Sequence, residues 1–217
     1  MRLLFLALTA CCLTAQAAPA PSLDLKLAYY SRVLTPEGVT REARYEETML
    51  RRPGHVWVAR TLPALPAPEA GAHAEFNPVL LARHVVKEGA TLRLEYVDHK
   101  ARALVAIPAA EYGNVSFDGS WDKAWFLLDP RRVLSLPVSR RPSAVDGAVW
   151  REQERAGNFE RVLWDQQRQV PLVIESGDRA GTVLHRIEVK VLPQLEQRLP
   201  WLALAGYSHK EYADFLD

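Results

Sequence analysis

The stretch that decides the fold runs from Val149 to Val191 and reads VWREQERAGNFERVLWDQQRQVPLVIESGDRAGTVLHRIEVKV. Its last part alternates apolar with polar positions, and the repeating sets are Val183, His185, Ile187, Val189 and Val191, and one strand earlier Val170, Leu172 and Ile174. A period of two predicts strands with one face in the core and one face in water. Between the two sets the chain carries the turn-forming run Ser176-Gly177-Asp178-Arg179-Ala180-Gly181. The stretch therefore predicts three or four consecutive antiparallel strands whose apolar face needs a partner surface from the rest of the chain.

Five further segments carry strand signals of the same kind. They are Leu23 to Tyr29, Val39 to Met49, His55 to Arg60, Thr91 to Asp98 and Arg102 to Ile107. In the third segment the pattern leaves open whether Trp57 or the valines on either side of it face the core. The chain is thus predicted to be mainly β, of the α+β type, with an antiparallel sheet.

A helical insertion is predicted over about residues 77–140. Asn77 is a good N-cap, Pro78 suits the first helical position, and Gly89 can end a helix that carries an apolar stripe. Farther on, two short helices are predicted, one after Ser120 and one opened by Asp129 and a proline.

The chain is expected to form one domain over residues 18–217. Its 217 residues are 48% hydrophobic and 24% charged, which is ordinary for a globular protein that buries its own core. A short C-terminal helix is predicted over about residues 209–217, because Ser208 and Glu211 have the spacing of a capping box. Lys and Arg number 27 against 26 Asp and Glu, and no long run of one sign occurs, so we expect no nucleic-acid partner.

The first residues resemble a secretory signal peptide, residues 1–17. A charged start at Arg2 is followed by an apolar run of secretory length, and Ala15-Gln16-Ala17 offers a cleavage pattern, so we expect the cut after Ala17 or Ala18. This run is too short to be a transmembrane span. The composition is typical of a Gram-negative bacterium, and we therefore expect a periplasmic protein.

A second processing route is lipid anchoring at Cys11. Leu8-Thr9-Ala10-Cys11 resembles a lipobox, but cleavage there would leave an apolar run shorter than the usual minimum. Cys11 and Cys12 are the two cysteines of the chain, so cleavage after Ala17 or Ala18 would leave a mature protein without thiols. Disulfides and cysteine-based metal sites or nucleophiles would then be excluded.

The order of these elements resembles the LolA-like periplasmic lipoprotein carriers and sensors. The resemblance covers roughly residues 23–191, and its features are the Arg52-Pro53-Gly54 corner with Trp57 just after it, a central helical insertion, and a terminal meander. It implies a curved antiparallel sheet or incomplete β-barrel, short helices that cover the concave face, and an apolar cavity between them that receives acyl chains. The chain departs from the family at Ser22 to Leu34, which alternates like a strand where the family usually begins with a helix.

The aromatic residues of the insertion suggest a binding protein for an apolar ligand, such as a lipid or an acyl chain. The candidate ligand-binding residues are Tyr112, Phe117, Trp121, Trp125, Phe126 and Trp57. Aromatic residues beside the apolar face of a sheet are the composition expected of a largely apolar pocket. The same residues could instead fill an ordinary core, in which case the chain is a structural or interaction domain, with a periplasmic or outer-membrane protein as its partner.

A metal site is the alternative function. A mature chain without cysteine would bind copper or zinc through imidazole and carboxylate groups, and the candidates are His73, His84 and His99 with Glu75 or Asp98. On a helix, His84 would lie some 10 Å along the axis from the loop that holds His73, so the loop would have to fold back.

No enzyme class is indicated. The common nucleotide-binding, zinc-protease and hydrolase motifs are absent from the sequence. Ser120-Trp121-Asp122-Lys123 matches Ser-x-x-Lys, but the companion motifs of that active site are missing. We therefore expect no catalytic residues and no cofactor.

The signal-peptide interpretation makes a prediction about Cys11 and Cys12. Changing both residues to Ser should leave the distribution of the protein between membrane and soluble fractions unchanged, because both would be removed with the signal peptide. Fractionation of cells that express either form measures this. Release from the membrane on the change would instead establish lipid anchoring at Cys11.

Overall fold

The computed structural model describes residues 20–62 and 76–215, and in this part of the chain eleven strands form one sheet. The strands are β1 (Leu23–Leu34), β2 (Thr40–Arg52), β3 (His55–Arg60), β4 (Ala82–Glu88), β5 (Thr91–Asp98), β6 (Ala103–Ile107), β7 (Ala148–Arg155), β8 (Asn158–Asp165), β9 (Val170–Asp178), β10 (Val183–Val191) and β11 (Ser208–Glu211). Their order across the sheet is β11-β6-β5-β4-β3-β2-β1-β10-β9-β8-β7, and neighbours are antiparallel except for β11 beside β6. The sheet is curved but does not close into a barrel, which confirms the predicted fold class. The predicted signal peptide lies outside the described residues.

The helical elements are short and lie between β6 and β7 or near the end of the chain. They are α1 (Trp121–Phe126), α2 (Pro130–Ser135) and three 3-10 helices at Ala109–Val115, Pro200–Ala203 and Tyr212–Phe215. Ser120 caps α1 by accepting from the Lys123 amide, and Asp129 caps α2 by accepting from the Arg131 amide. Within residues 20–62 and 76–215, no helix has both the length and the apolarity that crossing a membrane requires.

The predicted helix after Asn77 is wrong, because the chain is extended there as β4. Asn77 does begin one turn, in which its side chain accepts from the Val79 amide and its carbonyl from the Leu80 amide. The chain then pairs with β3 on one side and β5 on the other. Val85 and Val86, both buried, are β-branched residues that favour the pleated surface over a helix. The helical part of the insertion is therefore confined to residues 109–135.

The predicted C-terminal helix is also wrong. Residues 208–211 form β11, which pairs with Ala103–Ala106 of β6, and only a single 3-10 turn follows at Tyr212–Phe215. The edge of β6 would otherwise expose a row of backbone groups, and the pairing with β11 satisfies them. The last two residues lie outside the described part of the chain.

Apolar side chains pack on both faces of the sheet. We call the face that carries α1 and α2 the inner face, and the opposite one the outer face. The largest core cluster lies on the inner face, where Leu25 lies opposite Met49 and Met49 lies opposite Val58 across neighbouring strands. A second cluster on the outer face packs against the C-terminal segment, and its buried members are Leu50, Trp57, Ala82, Val97 and Leu104. The sequence left open whether Trp57 or the two valines beside it face the core. All three residues are buried, because each face of the sheet carries a core cluster.

Arg51 of β2 connects the inner face to three other segments. Its guanidinium is fully buried and donates to the carbonyl oxygens of Pro21, Trp125, Arg168 and Gln169, at 2.8–3.3 Å. These carbonyls belong to the chain before β1, to α1, and to the turn between β8 and β9. One side chain therefore fixes the position of the insertion relative to both halves of the sheet.

Arg52, the next residue, ties the C-terminal segment to the sheet. Its Nη1 donates to Oδ1 of the buried Asp24 at 2.6 Å, and its Nη2 donates to the Glu196 carbonyl at 3.1 Å. The second oxygen of Asp24 accepts from the Glu196 amide, and its carbonyl accepts from the Leu192 amide. The chain after β10 is thus guided onto the outer face.

We predict that Arg51→Met destabilises the protein strongly. The change removes the guanidinium from which four buried or partly buried carbonyl oxygens accept, so the free energy of unfolding should fall by about 3–5 kcal/mol. Urea unfolding measures this, and Arg44→Met at an exposed position of the same strand is the matched control, with an expected change within about 0.5 kcal/mol. Equal midpoints for the two variants would contradict the role given to Arg51.

Candidate functional site

Five of the six predicted aromatic residues lie together on the inner face. Tyr112 and Phe117 meet edge to face at 4.9 Å, and Trp121 and Trp125 have ring centroids 5.4 Å apart. Phe117 and Trp125 are each only 6% exposed, and the other three, including Phe126, pack against the same core cluster. These rings fill the space between the insertion and the sheet, so they form a packed wall there.

Trp57, the sixth, lies on the outer face and is separated from the other five by the sheet. It is 3% exposed and belongs to the outer cluster, where its ring centroid lies 6.4 Å from that of Trp201. The alternation of β3 places Trp57 and its neighbour Val56 on opposite faces. The structure therefore does not bring the predicted aromatic set into one site.

Two imidazoles form a hydrogen-bonded pair beside Trp57. Nδ1 of His55 and Nε2 of His84 are 3.1 Å apart, and the two rings are nearly coplanar, with an interplanar angle of 13°. Trp201 stacks on both, at centroid distances of 5.1 and 5.5 Å. On the other side of the His84 ring, Nδ1 lies 3.6 Å from an oxygen of Glu95. The pair is a docking surface for the C-terminal segment.

Among the candidate metal ligands that the structure describes, His84 and His99 have separate partners. His84 is engaged by the second imidazole and by Glu95, whereas Nδ1 of His99 lies 3.0 Å from the Tyr207 hydroxyl. His73 and Glu75, the other members of the predicted set, lie outside the described residues. Within residues 20–62 and 76–215, no group of three or more His, Cys, Asp or Glu side chains is placed to hold a metal ion.

An apolar cavity of about 510 Å³ lies where β3 ends and the turn between β5 and β6 begins. Its wall includes Trp57 and His99, and most of the other lining residues are apolar, among them Ala59, Leu62, Phe76, Leu80, Val97 and Phe215. Leu62 and Leu80 are 37% and 46% exposed, so these two apolar side chains of the lining reach the surface. We call this space the apolar cavity.

Sequence reasoning missed the apolar cavity as a site. It singled out Trp57 and His99 separately, one for an aromatic pocket and one for a metal. The available signal was the pair of apolar residues Leu62 and Leu80 flanking a proline-rich connection. Periodicity could not show that Leu62 and Leu80 meet the turn between β5 and β6, because that contact depends on the pairing of distant strands.

A second, smaller cavity of about 260 Å³ lies on the inner face, and its wall is largely polar. Its polar lining residues are Tyr45, Glu47, Arg60, Arg83, Tyr96, Asn114 and Ser116. Tyr29 stacks on Tyr45 with centroids 4.4 Å apart, and the Arg60 guanidinium carbon lies 3.6 Å above the centre of the Tyr45 ring. We call this space the polar cavity.

The phenols around the polar cavity are held in their protonated form. Burial raises the pKa of Tyr29 above its usual value, and the neighbouring carboxylate of Glu47 raises it further. Burial is also the main cause that raises the pKa of Tyr45 and of Tyr96. All three hydroxyls are therefore hydrogen-bond donors at neutral pH.

Comparisons with known proteins give likenesses of fold only. No family model and no curated protein matches the chain. A LolA superfamily protein from Nitrosomonas europaea is 11% identical, with 82% of this chain and 89% of that chain covered and a TM-score of 0.34. A DUF1329 family protein from Desulfovibrio piger is 10% identical, with 78% and 84% covered and a TM-score of 0.33.

The MucA/MucB complex of Pseudomonas aeruginosa has a chain that is 12% identical, with a TM-score of 0.41. The match covers 82% of this chain and spans about half of that one, at 53%. The resemblance to LolA-like proteins suggested by the sequence is thus found again among solved structures. At these TM-scores the likenesses carry no argument about ligand, activity or partner.

The imidazole pair predicts an acid-sensitive fold. Burial, and then the neighbouring His84, hold the pKa of His55 below its usual value, against the opposing effect of Glu88 and Glu95. The folded protein thus binds this proton less readily than the unfolded chain, whose histidines titrate near about 6.5. The free energy of unfolding should fall as the pH drops below about 6.5. The contribution of His55 to this fall should be complete once the pH lies below its folded-state pKa.

Urea unfolding between pH 7.5 and 5 measures this dependence. His55→Gln should show a smaller loss than the unchanged protein over the same range, and the exposed His185→Gln should behave like the unchanged protein. If His55→Gln keeps the full loss, another group is responsible.

Proposed function

We propose that this chain is an exported, non-catalytic binding protein that carries or senses an apolar ligand such as a lipid or an acyl chain. The observation that supports the proposal is the apolar cavity, whose lining includes the exposed apolar side chains of Leu62 and Leu80. Its volume of about 510 Å³ lies within the range of small-molecule sites, which are concave and mostly apolar with a few polar groups.

The cavity wall suits a hydrocarbon chain better than a polar ligand. Each methylene transferred from water into such a site contributes about 0.8 kcal/mol. About eight to ten methylenes would therefore contribute roughly 6–8 kcal/mol before the cost of immobilising the ligand. That gain is large enough for specific binding without any covalent or catalytic chemistry.

The cellular location remains part of the proposal. The pattern of residues 1–17 favours export, and an expected mature chain without thiols suits an oxidising compartment. We propose the periplasm, where an apolar ligand needs a protein that shields it from water. A periplasmic or outer-membrane protein that delivers or receives the ligand would be the corresponding partner.

The test is the uptake of a fluorescent fatty acid by the mature protein. Ala59→Phe places a ring in the apolar cavity and should lower the affinity at least about tenfold, because the added volume displaces part of the hydrocarbon chain. Ala28→Phe, at an exposed position of β1 that lines a shallow groove on the outer face, is the matched control and should bind normally.

Native mass spectrometry of protein purified from the periplasm provides an independent measurement. The proposal expects an additional mass from a bound amphiphile that is reduced in Ala59→Phe. A bare mature chain together with no uptake of fatty acid would rule the proposal out. Loss of uptake in Ala28→Phe alone would move the site to the outer groove.

A further inference from the structure

We propose that the polar cavity binds the anionic head group of the ligand, so that the ligand is an amphiphile with a carboxylate or phosphate head. This inference rests on the proposed function and names the ligand class. The tail would lie in the apolar cavity and the head in the polar cavity. The anion could come from the head group of an amphiphile or from a small free anion. Both present an oxyanion that accepts several hydrogen bonds.

The charge in the polar cavity is unbalanced. Two guanidinium groups, those of Arg60 and Arg83, line it together with one carboxylate, that of Glu47. That carboxylate lies beside the Tyr29 phenol, whose pKa it raises. A net positive, partly desolvated space lined by hydrogen-bond donors attracts an anion.

Arg83 provides the second observation. Its Nε atom is buried and has no hydrogen-bond partner. Leaving a buried donor without an acceptor costs free energy, and buried polar groups in folded proteins are nearly always paired. Arg83 lines the polar cavity, so an oxyanion there would lie beside a guanidinium whose Nε is still unpaired.

Arg60 is held in a position that keeps its donors available. Its guanidinium carbon lies 3.6 Å from the centre of the Tyr45 ring. Cation–π stacking uses the face of the guanidinium, while its N–H groups point outward in the plane. Two parallel hydrogen bonds to a carboxylate or phosphate are the interaction that this geometry favours.

The two cavities adjoin at the end of β3. Arg60 and Leu81 line both the apolar and the polar cavity. In the proposed arrangement, a ligand whose tail occupies the first extends into the second past these two side chains. The Arg93 side chain on the outer face offers a contrast, because it is already paired with Glu88 at 3.2 Å and with Glu95 at 2.5 Å.

Titration calorimetry with matched ligands tests the inference. Decanoate and its uncharged counterpart decanol share the tail, whereas acetate and inorganic phosphate represent the head alone. We expect the protein to bind decanoate at least about tenfold more tightly than decanol, as a charge-assisted hydrogen bond allows. Arg83→Gln should remove this preference and leave decanol binding unchanged, whereas Arg93→Gln should keep it.

The results separate the head-group inference from the apolar binding site on which it rests. Equal affinities for decanoate and decanol, or a preference that survives in Arg83→Gln, would overturn the head-group inference and leave the apolar site standing. Failure of both ligands to bind would overturn both. Acetate or phosphate bound as tightly as decanoate would support the anion site as one for a small free anion and would overturn the amphiphile.

Arg60→Gln is the second variant, for use if Arg83→Gln does not fold. Circular dichroism checks the fold of each variant before calorimetry. Arg60 is only partly buried, so its replacement should be tolerated, and it should reduce the preference for decanoate in the same direction. An unchanged preference in a folded Arg60→Gln protein would count against the inference.

Discussion

The buried guanidinium of Arg51 is the interaction on which the rest of the structure depends. Burial lowers its pKa to about 10, so it remains a cation at neutral pH, and its hydrogen bonds go to four backbone carbonyls. The rings of Trp125 and Phe126 lie 5.3 and 5.8 Å from it. Three strand spacings separate β2 from β9, about 14 Å in a flat sheet. Direct contact between Arg51 and the turn before β9 therefore requires a curved sheet with that turn folded over the inner face.

This arrangement determines where a ligand has room. Arg51 donates to the Trp125 carbonyl and so holds α1 beside the sheet. In this position Trp125 and Phe117 fill the inner face. The space between sheet and helices that the LolA-like resemblance implies is occupied there by protein side chains. Room is left toward the other end of the strands, where the apolar and polar cavities lie.

The sequence predicted the strands well because their period of two is strong in Val183 to Val191 and survives in the remaining segments. It failed at Asn77 because cap chemistry describes a single turn, whereas pairing with β3 and β5 decides the residues after it. Neither could spacing show that Trp125 fills a core or that Trp57 lies on the other face. Arg51 and Arg83 were missed since charged residues are usually exposed, and only the distant partners of each reveal a buried role.

The apolar cavity and the imidazole pair are coupled through Trp57. Its indole lines the apolar cavity and also packs against His84 at 5.5 Å and His99 at 5.9 Å. Trp201, which covers the imidazole pair, follows Pro200, a residue of the cavity wall. The C-terminal segment therefore does two things at once, because it buries the histidines and completes the cavity. Any change that weakens the packing of this segment on the imidazole pair also removes part of the wall against which an apolar ligand would pack.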